Sequence, residues 1–149
     1  MPPPPAPRAD RAAPTPDDLL EPLAVVVRGH SDDLTAVAAR HGLSSAQARA
    51  LIALDAPMPM SALARHLVCD ASNATGLVGR METRGLLVRT PAPGDRRSKV
   101  ASRTPEGTEL AHRIRAEMRV VHGALEALTP EERTALLPLL NRLGALLGP

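Results

Sequence analysis

The stretch from Asp70 to Gly85, DASNATGLVGRMETRG, is bounded at both ends and two-faced between them, and it constrains the fold more than any other run in the chain. Asp70 has the side chain of an N-cap, a carboxylate able to accept from the unpaired N–H groups of a first helical turn. Ala74, Leu77, Val78 and Met81 follow at i, i+3, i+4 and i+7, one helical stripe that must pack inward, so a helix is expected over 71–84. Its outer side is then Ser72, Asn73, Thr75, Gly76, Gly79 and Arg80. Gly85 stands where a left-handed residue closes a helix, with Leu86 behind it for the accompanying apolar contact. Beyond this stop, Leu86–Thr90 and Val100–Arg103 are strand-compatible runs separated by PAPGDRRSK, which predicts a hairpin with a basic tip.

Upstream, MSALARHLV places Leu63, Ala64 and Leu67 on one face of a shorter helix over 60–68, joined to the next by a tight turn. Helix, turn, helix and basic hairpin is the order of a winged helix-turn-helix, mostly α with a small β-hairpin wing. In that fold the second helix enters the major groove and the hairpin meets the backbone or minor groove of duplex DNA. Charge agrees with the placement. Eight basic residues face three acidic ones between Arg65 and Arg103, a local excess of five, while the whole chain carries only +2. Lys99 is the one lysine among 18 basic residues, and a planar guanidinium suits phosphate or a narrow minor groove better than an ammonium does.

The segment LARHLVCDASNATGLVGRMETRGLLVRTPAPGDRRSKVASRTPEGTEL resembles the core of the multiple-antibiotic-resistance regulator (MarR) family. LA falls on the first helix, SNATGLV on the recognition helix, RGLL at the entry to the wing, DRR at its tip and TPEG at the start of the next helix. The resemblance implies a homodimeric winged-helix transcription regulator, usually a repressor, whose DNA affinity is altered by small ligands or oxidation. Gly76 and Gly79 depart from the family pattern, which commonly has Arg and Asp nearby, and leave fewer side chains to read bases.

The remainder of the chain supplies a framework for such a unit. Its 149 residues fit one domain, and the absence of Phe, Trp and Tyr means an aliphatic core. That absence also disfavours modules that stack bases on aromatic platforms. Residues 1–16 are proline-rich and read as a disordered tail, and 17–149 as a single domain, with the winged helix-turn-helix over 44–104. Leu19, Leu23, Val26, Val27, His30, Leu34, Val37 and Ala38 recur at helical spacing over 17–40, with Pro22 expected in the first turn. Ser44 and Gln47 have capping-box spacing for a second helix ending near Asp55. Thr104 and Pro105 open a long helix expected to run through about Leu128, and Thr129–Glu132 open a last one to about Leu147 that contains Pro138. Seven leucines between Leu136 and Leu147 exceed a single inward stripe, so 17–40 and 105–147 are assigned to dimerisation with a second copy.

For the DNA contact, Asn73 and Thr75 are expected at base edges and Ser72 and Arg80 at phosphates, with Gly76 allowing close backbone approach. Arg96 and Arg97 are expected in or beside the minor groove, Asp95 holding one guanidinium and Lys99 adding a phosphate contact. Cys69 precedes the recognition helix and is a candidate redox site, against the plainer reading of a small buried residue. His66 and Cys69 are too few for a metal centre. Arg28, His30 and His41 are candidates for lining an effector cavity. With no catalytic constellation evident, the chain reads as no enzyme, with no cofactor and no membrane partner. A lone cysteine and the lack of a leader or apolar span point to the cytoplasm. The competing reading is a winged-helix architectural or protein-interaction module with little sequence selectivity.

Overall fold

A computed structural model of the chain describes residues 13–148; the tail assignment for residues 1–16 falls almost wholly outside them, as does the side chain of Arg96. Seven helices and three short strands are present among the described residues: α1 Pro16–Arg40, α2 Ser45–Ala53, β1 Met58–Pro59, α3 Met60–Leu67, α4 Ala71–Thr83, β2 Leu87–Ala92, β3 Asp95–Arg103, α5 Pro105–Glu117, α6 Val120–Ala127 and α7 Pro130–Leu146.

Local side-chain chemistry sets most helix starts. Reciprocal capping boxes open α1 (Thr15 with Asp18), α2 (Ser44 with Gln47) and α7 (Thr129 with Glu132), while Asp70 and Thr104 cap α4 and α5. The α1 box lies upstream of the expected start, so Thr15 and Pro16 belong to the helix rather than to the tail. Pro22 is therefore inside α1 and not in its first turn. Gly85 takes the left-handed conformation, φ 69°, just past α4.

The core joins α2, α3, α4, the sheet, one face of α5 and only the end of α1. Leu51, Leu54, Leu63, Val78, Met81 and Ile114 are its largest fully buried side chains, with Val37 contributed by α1. The expected stripe of α1 is thus only partly inward: Leu34, Val37 and Ala38 are buried, whereas Leu19, Leu23, Val26 and Val27 are exposed. Neither α6 nor α7 buries a residue within the chain.

Two departures have long-range causes. The sheet has three antiparallel strands in the order β1-β3-β2, because Met58 and Pro59 pair with Ala101 and Val100 beside the hairpin. The helix after the wing is not continuous to Leu128: Met118 turns extended (ψ 101°), and the new helix begins with the Val120 N–H donating to Asp33 Oδ2 on α1 at 2.9 Å. A carboxylate from a distant element satisfies a first-turn donor there, a cap that no neighbouring residue announces. No helix among the described residues is long and apolar enough to cross a membrane.

Candidate nucleic-acid interface

The stripe Ala74, Leu77, Val78 and Met81 is buried, which turns Ser72, Asn73, Thr75, Gly76 and Arg80 to the outside of α4. At the helix start the exposed residues are organised by one carboxylate. Asp70 Oδ1 accepts from the Asn73 backbone N–H at 2.8 Å and from the Ser72 hydroxyl at 2.6 Å, and Oδ2 accepts from Asn73 Nδ2 at 2.7 Å. The Ser72 hydroxyl and, next, the Asn73 backbone N–H hold the Asp70 carboxyl below the usual carboxylate range. Ser72 has therefore committed its hydroxyl hydrogen, and what it presents outward is an acceptor, the wrong polarity for a phosphate.

Guanidinium groups lie beside the two glycines of α4, at distances where a Cβ would make ordinary contact. A Cβ at Gly76 would lie 3.6 Å from Arg80 Nη1, and one at Gly79 would lie 3.9 Å from Arg89 Nη2. Arg89 is clamped to α4: its backbone N–H donates to Glu82 Oε1 at 2.8 Å, and Nε and Nη2 donate to Oε2 at 3.0 and 2.6 Å. The Arg89 guanidinium holds the Glu82 carboxyl below its usual range. Glu82 thereby fixes β2 to the helix beside it.

Several residues counted in the basic cluster are structural for the same reason. Arg84 donates to the carbonyls of Gly42 and His41. Arg103, 5 % exposed, donates to the Leu54 carbonyl at 2.7 Å and to Asp55, and Arg115 donates to the Ile52 carbonyl, so two guanidinium groups close the C-terminal end of α2. Of the basic cluster, Arg65, Arg80, Arg97 and Lys99 are exposed and have neither an ion pair nor a side-chain hydrogen bond among the described residues. Composition along the chain gives the charge, but only the packing distinguishes the arginines that hold the fold from those that face outward. Glu82 and Arg89, opposite charges either side of the Gly85 turn, were the available signal for the clamp.

The wing is longer and differently tipped than its sequence suggested. Pairing runs through Ala92 and resumes at Asp95, leaving Pro93 and Gly94 (φ 80°) as the turn. Asp95 pairs with Ala92 while Lys99 pairs with Pro91, so residues 96–98 bulge out of the ladder where Pro91 has no N–H to offer. Asp95 stabilises this bulge through the Arg97 backbone N–H (2.9 Å) and the Ser98 hydroxyl (2.6 Å), and its carboxylate makes no contact with the Arg97 guanidinium. The Ser98 hydroxyl first, and then the Arg97 N–H, hold the Asp95 carboxyl below its usual range. Arg97 and Lys99 are exposed on the wing.

The candidate control residues are placed elsewhere. Cys69 is half-buried and packs against the core cluster, and no group of three metal-ligating side chains occurs among the described residues. Arg28 pairs with Glu21 at 2.9 Å, and His41 Nε2 lies 2.9 Å from Glu117 Oε1, while Glu117 Oε2 accepts from Arg40 at 3.0 Å. These contacts tie α1 to itself and to the end of α5.

Residues 41–98 match the sequence model of the MarR family. A protein of Thauera aromatica named for transcriptional regulation of the hcr operon is 36 % identical over 94 residues, 62 % of this chain and 57 % of the relative, so the chain spans little more than half the length of that relative. Among solved structures, a MarR-family transcriptional regulator from Silicibacter pomeroyi superposes with a TM-score of 0.71 at 27 % identity, covering 83 % of this chain and 87 % of that one. CouR from Rhodococcus jostii, bound to p-coumaroyl-CoA, shares the fold with a TM-score of 0.69 at 24 % identity, covering 89 % and 94 %.

Proposed function

We propose that the chain, whose residues 41–98 match the MarR family model and whose fold is that of a MarR-family regulator, is a sequence-specific duplex-DNA-binding transcriptional regulator, a ligand-responsive repressor acting in the cytoplasm as a homodimer on an inverted-repeat operator. The observation that carries this reading is the pairing of an exposed, short-side-chained α4 with a wing fastened to it through Glu82 and Arg89. That pairing presents a helix and a cationic hairpin as one body, the arrangement needed to fill a major groove and touch the adjoining backbone together. Asn73 and Thr75 are assigned to base edges, Arg80, Lys99, Arg96 and Arg97 to phosphate or minor groove, Gly76 to close approach and Asp95 to the wing backbone. Ser72 is assigned to bases as an acceptor.

The second copy rests on apolar surface left exposed among the described residues: Leu19, Leu23, Val26 and Val27 on α1, and Leu139, Leu140, Leu143 and Leu146 on α7. Effector control is supported by structures of similar fold that are named with small ligands, CouR with p-coumaroyl-CoA among them. A ligand regulates only by binding one half-site spacing of the dimer better than another.

A mobility-shift titration on the chain's own promoter, with random duplex as competitor and at several salt concentrations, tests the proposal. Specific binding at least 1,000-fold tighter than random, on the order expected of a specific regulator, supports it; equal affinity for both duplexes supports the architectural alternative. Changing Arg97 and Lys99 to alanine removes four cations from a dimer and is expected to lower the slope of log K against log salt by up to about four, at roughly 0.9 per phosphate contact. An unchanged slope removes the wing from the interface.

A further inference from the structure

We propose that Asp70 is a specificity-determining positioning residue, fixing the polarity of the Asn73 carboxamide so that the start of α4 selects adenine over guanine; this rests on the DNA-binding reading above. A carboxylate can only accept. With Asp70 Oδ2 at 2.7 Å, the edge of the Asn73 side chain facing it has to be the NH2 group, and Oδ1 faces the other way. The backbone N–H of Asn73 is held by the other carboxylate oxygen, which keeps the carboxylate in place beside the carboxamide, and turning the carboxamide over would break the Nδ2 bond and set two acceptors against each other. Among the described residues no donor reaches Asn73 Oδ1, and Asn73 is exposed. Ser72 is biased the same way, its hydroxyl hydrogen being donated to Asp70.

In the major groove adenine offers an N6 donor beside an N7 acceptor, whereas guanine offers two acceptors, O6 and N7. The Asn73 edge left by Asp70 carries one acceptor and one remaining Nδ2 hydrogen, which complements adenine and sets Oδ1 against O6 of guanine. Cytosine, with an N4 donor, satisfies only the acceptor. Because the carboxyl is held below its usual range, Asp70 stays ionised, and acceptor only, at neutral pH.

Asp70→Asn separates this role from simple helix capping. The new amide oxygen still caps the Asn73 N–H, but its NH2 then faces the Asn73 carboxamide, which turns over to meet it. In competition binding against duplexes carrying each base at each half-site position, wild type is expected to favour adenine over guanine at one step per half-site by on the order of tenfold, the scale of one bidentate contact. Asp70→Asn is expected to abolish or reverse that preference while other positions are unchanged. Asp70→Ser, which keeps a cap but leaves the carboxamide unheld, relaxes it without reversal. In an Asn73→Ala background, Asp70→Asn has no further effect on base choice. Circular dichroism and thermal melting show that each variant folds, and the Asn73 side-chain amide signals in the free protein's NMR spectrum move with the titration of Asp70. An Asp70→Asn protein that folds and binds with the wild-type base profile overturns the inference alone. A wild type that binds no duplex, or all duplexes equally, overturns the DNA-reading premise together with it.

Discussion

Two residues show how tightly individual positions are constrained. Gly107, in the TPEG run, lies where a Cβ would come within 2.0 Å of the Leu86 carbonyl oxygen. That carbonyl accepts the Thr104 N–H, and Thr104 in turn caps α5 at Gly107, so none of these groups can withdraw alone. Gly107→Ala is expected to destabilise the fold by about 3 kcal/mol, the upper part of the ordinary range for strain in a packed core, measured by urea unfolding. Val68 presents the opposite case. It is a β-branched residue in the left-handed region (φ 53°), the only non-glycine with positive φ among the described residues, and its side chain is 89 % exposed. It occupies the turn between α3 and α4, where the backbone must reverse before the Asp70 cap. Val68→Gly removes the strain and gives up little packing, with an expected gain of about 1 kcal/mol after the extra backbone entropy of glycine. No rise in melting temperature would show that the turn holds valine without cost.

Between elements, the recurring device is a charged side chain closing a backbone group of a neighbour. Asp33 caps α6, Arg103 and Arg115 close α2, and Glu82 holds the β2 backbone and the Arg89 guanidinium together. Glu82 and Arg89 are both less than a third exposed, so the contact is only partly screened by solvent. Glu82→Gln is expected to cost about 1 kcal/mol at neutral pH and to loosen the wing, seen as faster amide exchange in β2. The pH dependence has a definite sign. The folded-state pKa of Glu82 is depressed, so its contribution is fully present above the unfolded value of about 4.5 and is lost as pH falls through the folded value. The stability gap between wild type and Glu82→Gln therefore closes on acidification. A gap that stays constant to low pH would mean that the carboxylate charge is not what holds the wing.

At the scale of the whole molecule, one chain buries a winged helix-turn-helix and leaves its long helices incomplete. On α7, Leu140 and Leu143 are 47 % and 41 % exposed, and Leu146 is 74 % exposed. Burying a leucine contributes roughly 1.5 to 3 kcal/mol, so such a surface has a strong tendency to associate. Leu140→Glu with Leu143→Glu touches no buried core residue and is expected to convert a dimer into a monomer by light scattering, weakening operator binding at the same time. A double variant that remains dimeric would move the interface away from α7. Helix positions and starts, and the inward face of α4, were legible along the chain because a cap and a stripe are relations among residues a few places apart: Ser44 with Gln47, Asp70 with Asn73, Thr129 with Glu132. Which arginine faces outward, where the third strand comes from, why the post-wing helix breaks and which donor Asn73 has already spent were decided by tertiary structure. Each depends on a group from elsewhere in the chain, or on the direction of a side chain that spacing alone leaves open, and such geometry exists only once the core has brought the elements together.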